Sequence, residues 1–193
     1  INYRYGGNSF PAPNTTPESY EMQRILQEMT DHGVTHCVAE VSSHAIDLRR
    51  VDDCAFDLGV FTNLTQDHLD YHGTMETYYQ AKKRFFSEVL PTGGKSHQHK
   101  MIVNNDDPWG RRLLTEVGAG GLTYGLENPC NVSASPFHLS LNGSDAILHF
   151  GGERMAISSH LLGRFNLYNI LATAAAAFAL DIPGRFIRKG IEA

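Results

Sequence analysis

The sequence predicts an α/β fold, a mostly parallel sheet flanked by helices with a small antiparallel subsheet. Three observations point there. THCVAEVS (35–42), FDLGVFTNL (56–64) and KMIVNN (100–105) are near-continuous apolar runs, the pattern of strands covered on both faces. Helical patterns alternate with these runs, as in a parallel sheet joined by crossovers. After Gly121 the pattern changes to GLTYGL, SASPFHLSL, DAILHF and RMAISSHL, short pieces separated by Asn-Gly or Gly-Gly turns. Such spacing predicts antiparallel hairpins around 121–162.

The elements follow in order. In NTTPESYEMQRILQEM, Thr16 is expected to cap a helix, with Pro17 at its first position and Glu18 favoured by the helix dipole. Met22, Ile25, Leu26 and Met29 form its apolar face, and Gly33 ends it. Strands are expected at 35–42 and 56–64, followed by a helix over 75–90. Met75, Tyr78, Phe85 and Val89 make the inward stripe of that helix. Lys82 falls on the same stripe, whereas Lys83 and Arg84 are free to face water. A Gly-rich connection, a strand at 100–105 and a helix opened by Asp107-Pro108 and running to about Val117 come next. FNLYNILATAAAAFAL reads as a final Ala-rich helix.

Composition narrows the function classes. The 193 residues suffice for one domain, with or without a small accessory sheet, and 41% hydrophobic with 19% charged residues is a globular balance. A formal charge of −5 argues against a general polyanion-binding surface, so no nucleic-acid partner is expected. Three cysteines cannot all pair within the chain, so Cys37, Cys54 and Cys130 are read as reduced thiols in a cytosolic protein. The longest apolar stretch, ILATAAAAFAL, is too short to span a bilayer, and no signal peptide is visible. Both ends look cut, as in a fragment of a longer protein.

Ligands of open parallel sheets gather at the carboxyl ends of strands. Glu40, then Ser42, Ser43 and His44, follow the first run. Thr62, Asn63, Asp67, His68, Asp70 and His72 follow the second. Asn104, Asn105, Asp106 and Asp107 follow the third. A lone acidic residue there usually caps a turn, so the argument rests on three successive clusters. Glu40 and His68 offer a hard oxygen and an imidazole, both suited to a divalent cation. His68-x-x-x-His72 has zinc-pair spacing but lacks the glutamate of H-E-x-x-H, which weakens a hydrolase reading built on Glu40, Asp67, His68 and His72. Gly94-Lys95-Ser96 resembles the end of a phosphate-binding loop. The glycine required five positions earlier is Val89, and a helix rather than a strand precedes it, so it reads as a connection. Lys82 has three readings: an ammonium that snorkels to water, a partner of Asp67 or Asp70, or a buried amine converted by carbon dioxide to a carbamate. Spacing alone favours snorkelling.

EVSSHAIDLRRV, FTNLTQDHLDYHGTMETYYQAKKRFF, NNDDPWGRRLL and LLGRFNLYNI together resemble the Mur ligases, in register from about Pro13 to the end. The pairing of EVSSH with DHLDYHG is most similar to the member that adds the third peptide residue. It disfavours folate-polyglutamate or cyanophycin-type relatives. The resemblance implies residues 1–193 of a partial central ATPase domain, P-loop-NTPase-like. The first strand-loop-helix, the N-terminal UDP-binding domain and the C-terminal amino-acid domain would lie outside it.

It also implies ATP-dependent joining of a diamino acid, L-lysine or meso-diaminopimelate, to UDP-N-acetylmuramoyl-L-alanyl-D-glutamate in peptidoglycan synthesis, through an acyl phosphate, in the cytoplasm and without a membrane partner. By motif, Glu40 and His68 would hold magnesium ions, and Lys82 would be the carbamylated lysine supporting the second. Asn14, Thr15, Thr16, Ser42 and Arg50 would contact the UDP-muramoyl peptide, and Asn166 and Asn169 would face adenine. Leu48 stands where many relatives carry glutamine, so no polar contact is assigned there. Expected alternatives are a non-catalytic nucleotide-sugar-binding fragment and the metal-dependent hydrolase.

Overall fold

The computed structural model describes residues 2–92, 100–118 and 120–193. The chain divides into two compact units, residues 1–57 with 66–97 and residues 58–65 with 98–193. The Gly94-Lys95-Ser96 connection lies outside the described residues.

The first unit opens with a hairpin of β1 (Asn2–Tyr5) and β2 (Asn8–Pro11), turned by Gly6 and Gly7, both at positive φ. Helix α1 (Ser19–Asp31) buries Met22 and Ile25, as its apolar stripe requires. Its start differs from expectation. Glu18 is the N-cap residue and makes no side-chain cap bond. The Thr16 hydroxyl is used elsewhere: it donates to the Glu40 carbonyl at 2.9 Å and accepts from the Ser42 N–H at 3.0 Å. With that hydroxyl spent across the unit, the helix begins later, after Pro17.

The expected strand over 35–42 is also corrected. The segment is irregular, and Val38 is 100% exposed. An apolar run becomes a strand only when a neighbour takes its N–H and C=O groups. Among the described residues no ladder forms here, and the Thr16 hydroxyl anchors the segment's end. Helix α2 (Ser43–Asp47) follows, capped by the Ser42 hydroxyl accepting from the Ala45 N–H at 3.2 Å.

Later in this unit come α3 (Leu69–His72) and α4 (Met75–Arg84), the latter capped by Thr74 accepting from the Thr77 N–H at 3.1 Å. The helix expected over 75–90 continues as a π-helical turn, Phe85–Val89, and a last turn α5 (Leu90–Thr92). The wider turn buries the pairs Phe85-Phe86 and Val89-Leu90 together. Arg84, expected to face water, instead grips Asp52 with two guanidinium nitrogens and donates to the Ile46 carbonyl at 2.7 Å. Its hydrogen bonds to Asp52 push the guanidinium pKa up.

The second unit is a six-stranded sheet of β3 (Leu58–Phe61), β4 (Lys100–Asn104), β5 (Leu122–Gly125), β6 (Val132–Ser140), β7 (Gly143–Phe150) and β8 (Glu153–Ser159), in that order. Pairs β3 to β6 are parallel; β6-β7 and β7-β8 are antiparallel. GLTYGL therefore holds a parallel strand rather than the first arm of a hairpin. The reason is α6 (Pro108–Val117), a crossover that returns the chain to run beside β4 in the same direction. Asp107 caps α6 as expected, accepting from Trp109 and Gly110 N–H groups at 2.9 and 3.0 Å. Helix α7 (Gly163–Ala179) packs Leu167 and Leu171 on Ile102, Tyr124, Val132 and Leu148. Helix α8 (Gly184–Ile191) follows and buries Ile187. Among the described residues no helix is long and apolar enough to cross a membrane.

Candidate active site

The first unit brings one chemically rich region together. Thr16, almost fully buried, ties its own segment to the end of the 34–42 run and fixes the backbone at Glu40 and Ser42. The Glu40 side chain is left exposed. Ser42 caps α2, and α2 carries His44 into a group of rings. The His44 ring lies 5.2 Å from that of His68, edge-on, and 4.0 Å from that of Tyr71. Tyr71 in turn donates to Asp47 at 2.8 Å, an interaction that raises the phenol's pKa.

His68 holds a left-handed backbone, φ 55, which costs energy for a residue with a side chain. The Asp67 carboxylate accepts from the His68 N–H at 2.8 Å, and its other oxygen lies 3.6 Å from His68 Nε2. Tyr78 lies edge-on to His68 at 5.8 Å, and Lys82 Nζ sits 5.3 Å from the Tyr78 ring centroid. Lys82 is half-buried, as its place on the stripe predicts. Burial, then the Asp67 charge, pushes the Tyr78 phenol up. Contacts thus link His44 to His68, and His68 to Lys82 through Tyr78, while Thr16 ties the backbone of Glu40 to that of Ser42.

His72 is buried, and its Nε2 lies 2.8 Å from the Ser43 hydroxyl. Burial, then the nearby His44, lowers its pKa. Among the described residues no three His, Cys, Asp or Glu side chains gather to hold a metal by themselves. Magnesium does not need such a cluster, since it takes one or two carboxylates and completes its shell with water and substrate phosphates. Asp67 and His68, with Oδ2 3.6 Å from Nε2, could contribute one or two donors to such an ion, and no contact brings the exposed Glu40 side chain to them among the described residues. An ammonium at Lys82 would repel it, whereas a carbamate there would add a negative oxygen ligand.

The remaining sequence-predicted residues separate by role. Arg50 pairs with Glu18 at 2.6 Å and donates to the Thr16 carbonyl at 3.3 Å, so it braces the entry to α1; its Nε is buried without a partner among the described residues. Asn14 is exposed and Thr15 half-buried on the same segment. In the second unit, Asn166 and Asn169 share a face of α7, with Asn169 donating to Asn166 Oδ1 at 3.2 Å and Asn166 to the Leu162 carbonyl at 2.9 Å.

The third strand-end cluster turns out to be largely structural. Asn104 donates to the Thr62 carbonyl at 2.9 Å, and Asp107 Oδ2 accepts from the Leu64 N–H at 3.3 Å. Asp106 accepts from the N–H groups of Leu126, Glu127 and Asn128, from the Asn128 amide and from the Tyr168 hydroxyl. Burial pushes its carboxyl up, but these bonds together outweigh burial and hold it below the ordinary range.

Residues 2–177 match the description Mur ligase middle domain. The chain belongs to the Mur ligase family. A UDP-N-acetylmuramoyl-L-alanyl-D-glutamate--2,6-diaminopimelate ligase of Geobacter metallireducens is 46% identical over 192 residues, covering 100% of this chain and 38% of the relative. One of the same name from Bacillus velezensis is 41% identical, covering 98% and 39%. The chain therefore spans about two fifths of the curated Mur ligases it matches. A solved structure of a ligase of this name superposes with a TM-score of 0.81 at 26% identity, over 98% of this chain and 39% of that one. The mostly parallel sheet with its antiparallel extension is accordingly the fold of Mur ligases.

Proposed function

We propose that this chain is the central, ATP-handling domain of a cytoplasmic ligase. The ligase adds a diamino acid to UDP-N-acetylmuramoyl-L-alanyl-D-glutamate in peptidoglycan synthesis. Meso-diaminopimelate is the proposed amino acid, because the relatives matched along the whole chain are named for it. The observation that carries the reading is the contact path in one unit from His44 through His68 and Tyr78 to Lys82, in a chain of this family.

The residue chemistry suits an acyl-phosphate route. The substrate carboxylate attacks the γ-phosphorus of ATP and displaces ADP; the amine then attacks the acyl carbon and releases phosphate. Both reactants of the first step are anions, so the site must lower their repulsion and hold them in line. Magnesium bound by Glu40, His68 and a carbamylated Lys82 would supply that neutralisation. Asn14, Thr15, Thr16, Ser42 and Arg50 are assigned to the UDP-muramoyl peptide. Arg50 and Thr16 act there chiefly by fixing the backbone of their segment. Asn166 and Asn169 offer amide donors and acceptors to the adenine edge. The antiparallel strands β6–β8 are proposed as an elaboration of this domain, within the expected span of 121–162.

The test uses the full-length protein with ATP, the UDP-muramoyl dipeptide, and diaminopimelate or lysine in turn. The expected result is one phosphate released per amide formed, with diaminopimelate preferred, and a hydroxamate when hydroxylamine replaces the amine. Phosphate release that ignores the dipeptide would overturn the reading. The 193-residue chain alone is expected to show no ligation. An intact mass raised by one carbon dioxide, localised to Lys82, is expected in the full-length protein.

A further inference from the structure

Two rings flank His68 edge-on, His44 at 5.2 Å and Tyr78 at 5.8 Å. His72 touches both of them. It stacks on Tyr78 with ring centroids 5.0 Å apart and planes 12° from parallel, and it lies 5.4 Å from His44. Its Nε2 is fixed to the Ser43 hydroxyl at 2.8 Å, in a place where both residues are buried. Ser43 opens α2, one residue before His44, while His72 closes α3, four residues after His68. One buried hydrogen bond therefore couples the helix that carries His44 to the turn that carries His68.

His68 needs such support. Its left-handed backbone is not the conformation it would choose alone, and its ring is 45% exposed on the side chain. An exposed imidazole on a strained turn samples many orientations unless packing restricts it. Flanking rings restrict it here, and His72 sets where those rings stand. An outer group that orients a metal-binding imidazole commonly changes metal affinity by about 10–100-fold when removed.

We propose that His72, held by its hydrogen bond to Ser43, is a positioning residue that fixes the His68 imidazole for a divalent cation through His44 and Tyr78. The proposal rests on the reading of His68 as a metal-binding residue. Tyr71, bonded to Asp47 and packed on His44, completes the same frame from the solvent side.

The test measures Mn2+ binding by electron paramagnetic resonance in the full-length protein, alongside circular dichroism and thermal melting. Ser43→Ala removes the hydroxyl with little change of volume. His72→Phe keeps the stacked ring and removes the hydrogen bond. Each is expected to weaken Mn2+ binding by roughly 10-fold or more while the protein stays folded. The double variant is expected to lose no more than either single one, because both break the same bond. His72→Gln, which retains a hydrogen-bonding side chain toward Ser43, is expected to recover part of the affinity. Unchanged Mn2+ affinity in folded Ser43→Ala and His72→Phe proteins, with His68→Ala losing it, would overturn the positioning role alone. Unchanged affinity in His68→Ala would overturn the metal reading beneath it.

Discussion

Replacing Asp106 should cost more stability than its place at a strand end suggests. Its carboxylate accepts from Leu126 N at 2.6 Å, Asn128 N at 2.8 Å, Asn128 Nδ2 at 2.9 Å, Tyr168 Oη at 2.8 Å and Glu127 N at 3.1 Å. Glu127 is exposed at its bond and regains water, and the Asn128 amide keeps the Asn105 carbonyl at 3.3 Å as an acceptor. Three donors stay in partly buried surroundings: Leu126 N, Asn128 N and the Tyr168 hydroxyl. At about 1–1.5 kcal/mol for each stranded donor, Asp106→Ala should cost about 3–4 kcal/mol.

Asp106→Asn should cost nearly as much, because its amide nitrogen would face N–H donors. The folded pKa is lowered, so the carboxylate's contribution is present above the unfolded value near 3.9 and is lost as pH falls through the folded value. Wild type should therefore lose its advantage over Asp106→Asn only in acid, below about pH 4. Urea unfolding followed by the single tryptophan, Trp109, which opens α6 in the same unit, reads this directly. Equal midpoints for wild type and Asp106→Asn at neutral pH would refute the argument.

Further outcomes follow from the same contacts. A Cβ at Gly125 would lie 2.8 Å from Asp106 Oδ2, which its donors hold in place, so Gly125→Ala should destabilise the second unit by about 1–3 kcal/mol in the same urea assay. Arg84→Lys should weaken the first unit by about 1–3 kcal/mol, since an ammonium cannot span Asp52 and the Ile46 carbonyl as the planar fork does; hydrogen exchange at α2 would report it. Thr16→Val should loosen the segment at Glu40 and Ser42 by about 1 kcal/mol, read as faster exchange of the Ser42 N–H, which donates to that hydroxyl.

The sequence was most legible where structure is local. Asp107 caps α6 because the side chain reaches N–H groups two and three residues on, which spacing alone reveals. Lys82 stands half-buried beside Tyr78, four residues earlier, because helical periodicity fixes that neighbour. Legibility failed where a partner is distant. Thr16 reads as a cap, but Glu40, 24 residues on, claims its hydroxyl. Asp106 reads as part of a ligand cluster, yet its donors sit 20 and 62 residues away. The 35–42 run has strand chemistry, but chemistry does not supply the neighbour that makes a strand. His72 has zinc-pair spacing to His68 that the sequence already disfavours, but its bond to Ser43, 29 residues earlier, could not be read from spacing.

The central claim is that Glu40, His68 and Lys82 form the magnesium-dependent centre of an ATP-driven ligase. The most direct measurement is diaminopimelate-dependent phosphate release by full-length wild-type and His68→Ala proteins across a magnesium titration. The account predicts wild-type turnover abolished by chelation. It also predicts His68→Ala turnover lower by at least about 10-fold at wild-type magnesium levels, since losing a ligand costs no less than losing its support. Full turnover in a folded His68→Ala protein would contradict it.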